Sequence, residues 1–231
     1  MSSNYPLVSC ICITSNRPKM LESAINCFIS QDYPNKELVI SAPLGDLATK
    51  ELLKKYSTDP VNDVLFIERD PEESLGNARN EAIYQCNGVY VCIWDDDDWH
   101  DQKRLSAQYE SLQSSTQRLQ ASVLMRIILY DCSTHLAYLS FSYHWDGTLF
   151  CRKEMVLQNQ YANRDKAEDT HLIPFLEGKR LLSHIDESPF LYIYIYHGHN
   201  TWPYSHFEHF LEKSHLLTEE YTAKVRAILK D

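Results

Sequence analysis

The sequence predicts one α/β domain with a mixed, mainly parallel central sheet flanked by helices and a C-terminal amphipathic helix. In the first half of the chain, short apolar runs of strand length alternate with segments whose apolar residues recur at helical spacing. This strand–helix–strand rhythm implies right-handed crossovers and parallel strands. Ligands of such sheets bind at the carboxyl ends of the strands, so the polar residues that follow each strand are candidates for function.

The first half supplies four predicted strands and three predicted helices. The strands are Leu7–Ile13, Glu37–Ser41, Val64–Ile67 and Val89–Trp94, and the helices are Met20–Phe28, Leu47–Tyr56 and Leu75–Ile83. Asn16 suits the cap of the first helix, and Pro18 suits its first turn. The free backbone N–H groups of this loop would then lie at a strand's carboxyl end, where anionic ligands bind.

The second half has a different pattern, because the regular alternation stops after a helix that ends near Leu112, at the polar segment Ser111–Gln117. The predicted strands here are Ser122–Tyr130, Leu136–Tyr143, Trp145–Arg152 and Phe190–Tyr196, and helices are expected at Glu154–Gln158 and Leu172–Leu176. From Pro203 onward the apolar spacing is that of one amphipathic helix. We expect this segment to pack on the core, with homodimerisation or contact with a membrane surface as alternatives.

Composition excludes several classes of protein. A hydrophobic content of 44% in 231 residues is enough for a full core. The net charge of -10 and the lack of a Lys/Arg run disfavour nucleic acid as a partner. No apolar run approaches the ~20 residues that a transmembrane segment needs, and no secretory leader is visible.

The cysteines point to a reducing compartment. There are seven, an odd number, and several lie inside predicted strands without forming a C-x-x-C pair. Buried free thiols explain this usage better than a disulfide framework. We therefore expect a cytoplasmic protein, with a peripheral position at the membrane as an alternative.

The most informative stretch is Asp95–Asp98, four carboxylates directly after the apolar strand Val89–Trp94. Adjacent carboxylates repel one another, and a divalent cation that prefers oxygen ligands is the usual compensation. The run lacks the alternating acids and central Gly of an EF-hand loop. A metal site at a strand end is favoured, and a solvated acidic loop is the alternative.

These stretches together resemble the ordered signature of glycosyltransferase family 2, the inverting nucleotide-sugar transferases of GT-A fold. The resemblance runs from about residue 7 to 202 and is carried, in order, by Val8–Pro18, Leu75–Asn80, Trp94–Trp99, Gly147–Phe150 and Glu168–Asp169. It implies a Rossmann-like GT-A domain at 1–202, with a donor half at 1–112 and an acceptor half at 118–202. The segment 203–231 would be a helical extension packed on that domain.

The resemblance implies roles for residues on the donor side. The nucleotide site would comprise Thr14, Asn16, Arg17, Arg79, Asp95 and Asp96, and the ligands of Mn²⁺ or Mg²⁺ would be Asp97 and Asp98, with His197 near the metal or the pyrophosphate. The cation would bridge the phosphates and neutralise charge on the leaving nucleoside diphosphate. The alternatives are that the loop residues only cap and solvate the helix, and that His197 is an ordinary exposed or satisfied histidine.

On the acceptor side, Asp169 resembles the family's catalytic base, which takes the proton of the attacking acceptor hydroxyl. The alternative is that Asp169 caps the helix that follows it. Glu168 would position this base or tune it. Trp145, Gly147 and Thr148 would line the acceptor site, because an aromatic face and small residues suit a sugar ring. Trp145 could equally belong to the core.

The expected partners are a nucleotide sugar, with a UDP-sugar as the family default, and a glycan or lipid-linked glycan acceptor. One departure from the family pattern leaves the identity of the donor's nucleobase open. Family members commonly read the nucleobase with an Asp directly after the second strand, whereas Ser41–Asp46 has no acid in that place. Asp46 or backbone groups could replace it.

Two other functions compete. A sugar nucleotidyltransferase shares the sheet but needs a Gly-rich loop after the first strand, and Thr14–Pro18 contains no Gly. A catalytically silent nucleotide- or glycan-binding module could retain the same scaffold. The presence of both the acidic run and Asp169 argues against it.

Overall fold

The computed structural model describes residues 5–56 and 63–231, which form a mixed α/β fold with two sheets. All seven elements predicted in the first half are confirmed, with small shifts at their ends. They are β1 (Val8–Ile13), α1 (Pro18–Ile29), β2 (Lys36–Pro43), α2 (Leu47–Lys54), β3 (Asp63–Arg69), α3 (Leu75–Gln85) and β4 (Tyr90–Ile93). Strands β1, β2 and β4 are buried along nearly their whole length, which explains their continuous apolar runs.

The start of α1 differs from the prediction. Pro18 does lie in its first turn, but the capping position is occupied by Arg17, which makes no side-chain capping hydrogen bond among the residues described. Asn16 precedes it in the left-handed region, with φ of 53°. A short polar side chain tolerates this conformation better than most residues do. Asn16 therefore turns the chain here, and the prediction that it caps α1 is wrong.

The remaining elements are more numerous than predicted, because β5, β10 and β12 had no clear sequence signal. The elements are β5 (Trp99–His100), α4 (Arg104–Gln113), β6 (Ala121–Leu124), β7 (Ile128–Asp131), β8 (Leu136–Leu139), β9 (Phe150–Arg152), α5 (Lys153–Gln158), α6 (Leu172–Gly178), β10 (Leu182–Ile185), β11 (Tyr192–Tyr196), α7 (Tyr204–Leu211), β12 (His215–Leu216) and α8 (Glu219–Leu229). Pro174 lies in the first turn of α6, where a missing N–H costs little, so it does not interrupt the helix.

The first sheet has the strand order β10-β6-β9-β4-β1-β2-β3. Strand β1 pairs in parallel with β2 and β4, and β2 pairs in parallel with β3. Strand β9 is antiparallel to both β4 and β6. This arrangement confirms a mixed, mainly parallel sheet. The carboxyl ends of β1, β2, β3 and β4 share one edge of it, where the candidate residues of the donor side were expected.

The second sheet has the order β12-β8-β7-β11-β5. The prediction that Ser122–Tyr130 is one strand is wrong, because this run supplies β6 to the first sheet and β7 to the second. Between them, the Met125 N–H donates to the carbonyl of Ile185, and the Ile127 N–H donates to the buried Ser140 hydroxyl. Both halves of the run are buried, and the one charged residue at the bend, Arg126, is too weak a signal to divide it.

The C-terminal segment is also more complex than the single helix predicted. It forms α7 and α8, separated by β12, which pairs antiparallel with β8. Phe207 of α7 is buried against the aromatic side chains of β11, and Val225 of α8 is buried against β7 and β11. The backbone pairing of two exposed residues, His215 and Leu216, breaks the helical pattern.

All seven cysteines are free thiols, and six of them are buried. Cys10 and Cys92 face each other across the β1–β4 pair, inside the apolar core. Within the two described ranges, no helix is both long enough and apolar enough to cross a membrane.

Candidate active site

The acidic run Asp95–Asp98 leaves the end of β4 in the first sheet and leads into β5 of the second. The predicted strand end is confirmed, but β5 intervenes before α4. Each of the four carboxylates accepts a hydrogen bond from a different side chain, although Asp96 and Asp97 also share one cation. This distribution offsets the repulsion that four adjacent carboxylates would otherwise have.

Asp96 and Asp97 share the cation of Arg17. The Thr14 hydroxyl donates to Asp96 Oδ2 at 2.5 Å, and Arg17 lies 3.3 Å from Asp96 Oδ1 and 2.7 Å from Asp97 Oδ2. His197 Nε2 is 3.2 Å from the same Asp97 oxygen. Burial and the charge of Asp97 raise the pKa of Asp96 to about 7. Burial opposes ionisation of Asp97 as well, but the His197 hydrogen bond and Arg17 outweigh it and lower the Asp97 pKa.

Asp95 and Asp98 have different surroundings. Asp95 Oδ1 is 3.1 Å from Arg79 Nη2. Asp98 accepts a hydrogen bond from the Tyr192 hydroxyl and another, at 2.8 Å, from the Ile195 N–H, both on β11. Burial raises the pKa of Asp98 well above its ordinary value. Asp98, predicted as a metal ligand, thus uses both oxygens to attach the acidic run to the second sheet.

The loop after β1 is held by Asp46. Its carboxylate accepts hydrogen bonds from the Asn16 N–H at 2.8 Å and from the N–H and hydroxyl of Thr49 at 2.9 and 2.7 Å. Burial would raise the pKa of Asp46, but these hydrogen bonds lower it. Asp46 therefore caps α2 and fixes the loop, which does not fit the suggestion that it reads a nucleobase. The Asn16 side chain is exposed and approaches only as far as 3.5 Å from Ser15 Oγ.

Arg79 lies between three carboxylates. Besides Asp95, it forms an ion pair with Glu168 and lies 3.9 Å from Asp169 Oδ2. Burial alone would lower the pKa of Arg79, but Asp95 and Glu168 outweigh that effect and raise it. Arg79 and Glu168 are both buried. The residue predicted to bind the donor thus also connects the acidic run to the loop that carries Asp169.

Asp169 is a quarter exposed, with 26% of its side chain accessible. The capping position of α6 is His171, and no side-chain capping hydrogen bond is found there in the described part of the chain. The Asp169 backbone carbonyl accepts the Leu172 N–H at 3.0 Å, while the carboxylate stays on the cleft side. The alternative role as a helix cap is therefore wrong.

Three of the predicted acceptor residues lie in or beside a short 3-10 turn, Asp146–Thr148: Gly147 and Thr148 belong to it and Trp145 precedes it. Trp145 packs on Phe210 with ring centroids 5.1 Å apart, and its buried Nε1 has no hydrogen-bonding partner in the described chain. A Cβ on Gly147 would come within 2.9 Å of Asp95 Oδ2, so this position needs Gly. The Thr148 hydroxyl donates to the Trp145 carbonyl at 2.6 Å and accepts the Leu124 N–H, so it fixes the turn.

Asp146 was not singled out from the sequence, although it stands between two predicted acceptor residues, Trp145 and Gly147. Its side chain lines the same cleft as Asp169. Burial and the charge of Asp169 raise the pKa of Asp146 to about 7. The signal that could have found it was a carboxylate inside a predicted sugar-binding turn.

Arg104 is the second residue that the sequence did not reveal. It is fully buried between the rings of Trp94 and Tyr192, 5.3 and 4.9 Å from their centroids. Its guanidinium donates to the carbonyl of Ile93 at 3.0 Å and to that of Gly147 at 3.2 Å. Arg104 thus joins the end of β4 to the acceptor turn. An Arg at the start of a helix normally indicates an exposed position, so no sequence signal was available.

These groups converge on one cavity of about 440 Å³, called the cleft below. Its lining includes the acidic run, Arg17 and Asp169, together with aromatic side chains from Tyr143, Trp145, Trp202 and Phe210. A second cavity, of about 480 Å³, meets the acidic run from another side and is lined by His197 and α1. The structure therefore brings Arg17, Arg79 and the acidic run into one cleft with the predicted acceptor-side residues, whereas His197 lines the second cavity and Thr14 and Asn16 line neither.

Comparison with known proteins identifies the family of this chain. The sequence model of glycosyl transferase family 2 matches residues 9–162, more than half of the chain. The chain belongs to glycosyl transferase family 2. The matched range includes the acidic run and Arg79, whereas Glu168, Asp169 and His197 follow it. The match therefore spans the predicted donor-side residues from Thr14 to Asp98 but not these three residues.

Curated members of the family are similar over part of their length. A putative colanic acid biosynthesis glycosyl transferase of Escherichia coli is 36% identical over 106 residues, 45% of this chain and 37% of the relative. A GalNAc(5)-diNAcBac-PP-undecaprenol β-1,3-glucosyltransferase of Campylobacter jejuni is 28% identical over 93 residues, 40% of this chain and 30% of the relative. The chain thus matches less than half the length of each.

Solved structures share the architecture. TarS residues 1–349 of S. aureus in complex with UDP-GlcNAc has a TM-score of 0.67 at 16% identity, over 82% of this chain and 58% of that one. A mannosyltransferase from Pyrobaculum calidifontis in complex with GDP-Man and Mn²⁺ has a TM-score of 0.66 at 16% identity, over 91% and 63%. These likenesses confirm the GT-A fold.

Proposed function

We propose that this chain is a metal-dependent inverting glycosyltransferase that moves a sugar from a nucleotide-sugar donor to a hydroxyl of a glycan or lipid-linked glycan. The observation that carries the proposal is the single cleft that contains both the acidic run and Asp169. A cation-binding group and a candidate base that line one cavity are what a displacement at a sugar carbon requires. Residues from 14 to 98 would form the donor half, and residues from 145 to 169 belong to the acceptor half.

The donor set fits a divalent cation. Asp97 Oδ2 and His197 Nε2 are 3.2 Å apart, a separation that two ligand atoms of one cation can have. Mn²⁺ and Mg²⁺ typically take one or two protein ligands and complete their shell with water and substrate phosphates. A cation held there would neutralise charge on the departing nucleoside diphosphate. Both Asp98 oxygens accept hydrogen bonds from β11. We therefore assign Asp97 and His197 as the metal ligands and propose that Asp98 positions the acidic run.

The donor nucleotide would lie against Arg17 and the loop that Asp46 fixes. Arg17 has 32% of its side chain exposed and faces the cleft, so its cation can reach a phosphate. Arg79 is mostly surrounded by carboxylates and would act by holding Asp95 in place. A UDP-sugar is the proposed donor, supported by the UDP-GlcNAc bound in the similar TarS structure.

Asp169 is the proposed catalytic base. Its carboxylate is accessible from the cleft, and Arg79 and Glu168 hold its loop from beneath. It would accept the proton of the acceptor hydroxyl as that oxygen attacks the anomeric carbon opposite the leaving group, which inverts the configuration. The acceptor sugar would stack on the aromatic side chains that line the cleft, among them Trp145 and Phe210.

The experiment is incubation of the chain with Mn²⁺ and a panel of nucleotide sugars, with and without candidate acceptors. We expect slow release of nucleoside diphosphate from one donor, accelerated by an acceptor. Pyrophosphate formation from a nucleoside triphosphate would instead indicate a sugar nucleotidyltransferase. Binding of donors without turnover of any of them would indicate a silent binding module.

A further inference from the structure

A second group of metal-ligating side chains lies apart from the residues that line the cleft. It consists of His144 in the loop before the acceptor turn, Glu177 on α6 and His184 on β10. Three different segments of the chain therefore converge on one point. His144 and Glu177 are half-buried and His184 is exposed, so the group is accessible to a solvent ion.

The distances within this group suit a small cation. His144 Nε2 lies 3.2 Å from Glu177 Oε1, and His184 Nε2 contacts the same oxygen. All three ligand atoms lie within 4.8 Å of one another. Tetrahedral zinc has bonds of about 2.0–2.1 Å to nitrogen and oxygen, which place two of its ligand atoms roughly 3.3 Å apart. The two imidazole nitrogens, which lie within 4.8 Å of each other, would have to approach by at most about 1.5 Å.

We propose that His144, Glu177 and His184 form a Zn²⁺ site, with a water molecule as the fourth ligand. Two imidazoles and one carboxylate are a ligand set that zinc commonly has in proteins. The two nitrogen ligands distinguish this group from the oxygen-rich acidic run, which suits Mn²⁺ or Mg²⁺. The metal would also neutralise the one carboxylate that the two histidines share.

The location gives the site a structural effect on the acceptor side. His144 directly precedes Trp145, and Glu177 belongs to α6, which starts three residues after Asp169. The buried residues Leu172 and Leu176 fix α6 on the core, so the backbone of Glu177 is held in place. Bound zinc would connect the loop of Trp145 to this helix and to β10. It would stabilise the folded chain, because a ligand that binds only the native state shifts the unfolding equilibrium.

The test measures Zn²⁺ binding and zinc-dependent thermal stabilisation, and needs no turnover. Both quantities are determined for the Asp97→Ala chain, which removes the cation ligand of the cleft, and then for the same chain carrying His184→Gln or Glu177→Gln. We expect either added substitution to weaken the binding of one zinc equivalent by more than about tenfold and to abolish the stabilisation. His215→Gln, at an exposed histidine of β12, is the matched control and should change neither quantity.

The use of two ligand variants separates loss of the site from loss of the fold. Their unfolding without added metal should match that of the parent, because both side chains are at least partly exposed. Zinc binding and stabilisation equal to those of the parent in either variant would overturn the proposal. An equal loss in His215→Gln would overturn it too, since zinc would then be held by histidines in general.

Discussion

The two walls of the cleft are built from different interactions. The proposed donor wall is a set of ion pairs and charged hydrogen bonds, in which Arg17 lies 2.7 Å from Asp97 and Arg79 lies 3.1 Å from Asp95. The acceptor wall consists of aromatic rings, with Trp145 and Phe210 packed 5.1 Å apart. Charged contacts depend steeply on geometry and ligand identity, whereas ring contacts scale with the area in contact. Substitutions on the proposed donor wall should therefore abolish ligand binding, whereas substitutions on the proposed acceptor wall should weaken it only in part.

The largest effect is expected for Asp97→Ala on the donor wall. The substitution removes a metal ligand and also relieves repulsion within the acidic run, so metal-dependent donor binding should be lost while the fold stays intact. The measurement is the thermal shift caused by UDP with Mn²⁺. Asp186→Ala, which breaks a surface ion pair of 3.3 Å with Arg126 and a 3.4 Å hydrogen bond from the Ser142 hydroxyl, is the control. A variant at Asp97 with the same Mn²⁺-dependent shift as the parent would disprove the metal assignment.

The next largest effect is expected where the two walls are joined. Arg104→Met would leave the buried carbonyls of Ile93 and Gly147 without their donor. Unsatisfied buried acceptors cost about 1–3 kcal/mol each, so the free energy of unfolding should fall by about 3–5 kcal/mol. Urea unfolding measures it, with Arg118→Met at an exposed position as the control. A loss below about 1 kcal/mol would mean that Arg104 is not the connection between the walls.

A smaller, graded effect is expected for Trp145 on the acceptor wall. Trp145→Ala should raise the KM for the acceptor roughly tenfold, because one aromatic stacking contact is worth about 0.5–1.5 kcal/mol. Trp145→Phe keeps a smaller ring, so its KM should lie in between. Steady-state kinetics with varied acceptor decides this, with Tyr84→Ala, 70% exposed, as the control. An unchanged acceptor KM in both variants would mean that Trp145 only packs in the core and does not bind the acceptor.

The sequence predicted the first four strands well, because each is a short apolar run followed by a polar turn. It also placed the acidic run at the end of β4. It could not assign the four carboxylates, because their partners Arg17, Arg79 and Tyr192 come from distant parts of the chain. Adjacent aspartates cannot be told apart in the sequence, and only the fold shows that Asp98 is hydrogen-bonded to β11.

The second half was predicted less well, for a physical reason. Its strands are short, and two of them, β5 and β12, have only two residues, too few to show any periodicity. The run from Ser122 to Tyr130 is apolar except for Ser122 and Arg126 because both sheets bury it, and a single Arg is too weak a signal to reveal the bend at 125–127. Tertiary pairing with β8 likewise overrides the helical pattern at His215 and Leu216.

The central claim is that both walls serve one reaction, with Asp169 as the base, and Asp169→Asn tests it most directly. Asn keeps the shape of the side chain and loses its basicity, so turnover at saturating donor should fall by about 10²–10⁴ while donor affinity stays unchanged. Asp165→Asn, the same chemical change in the same loop, is the control, because Asn can still accept the Leu75 N–H. Turnover of the Asp169 variant above about a third of the parent rate would contradict the account.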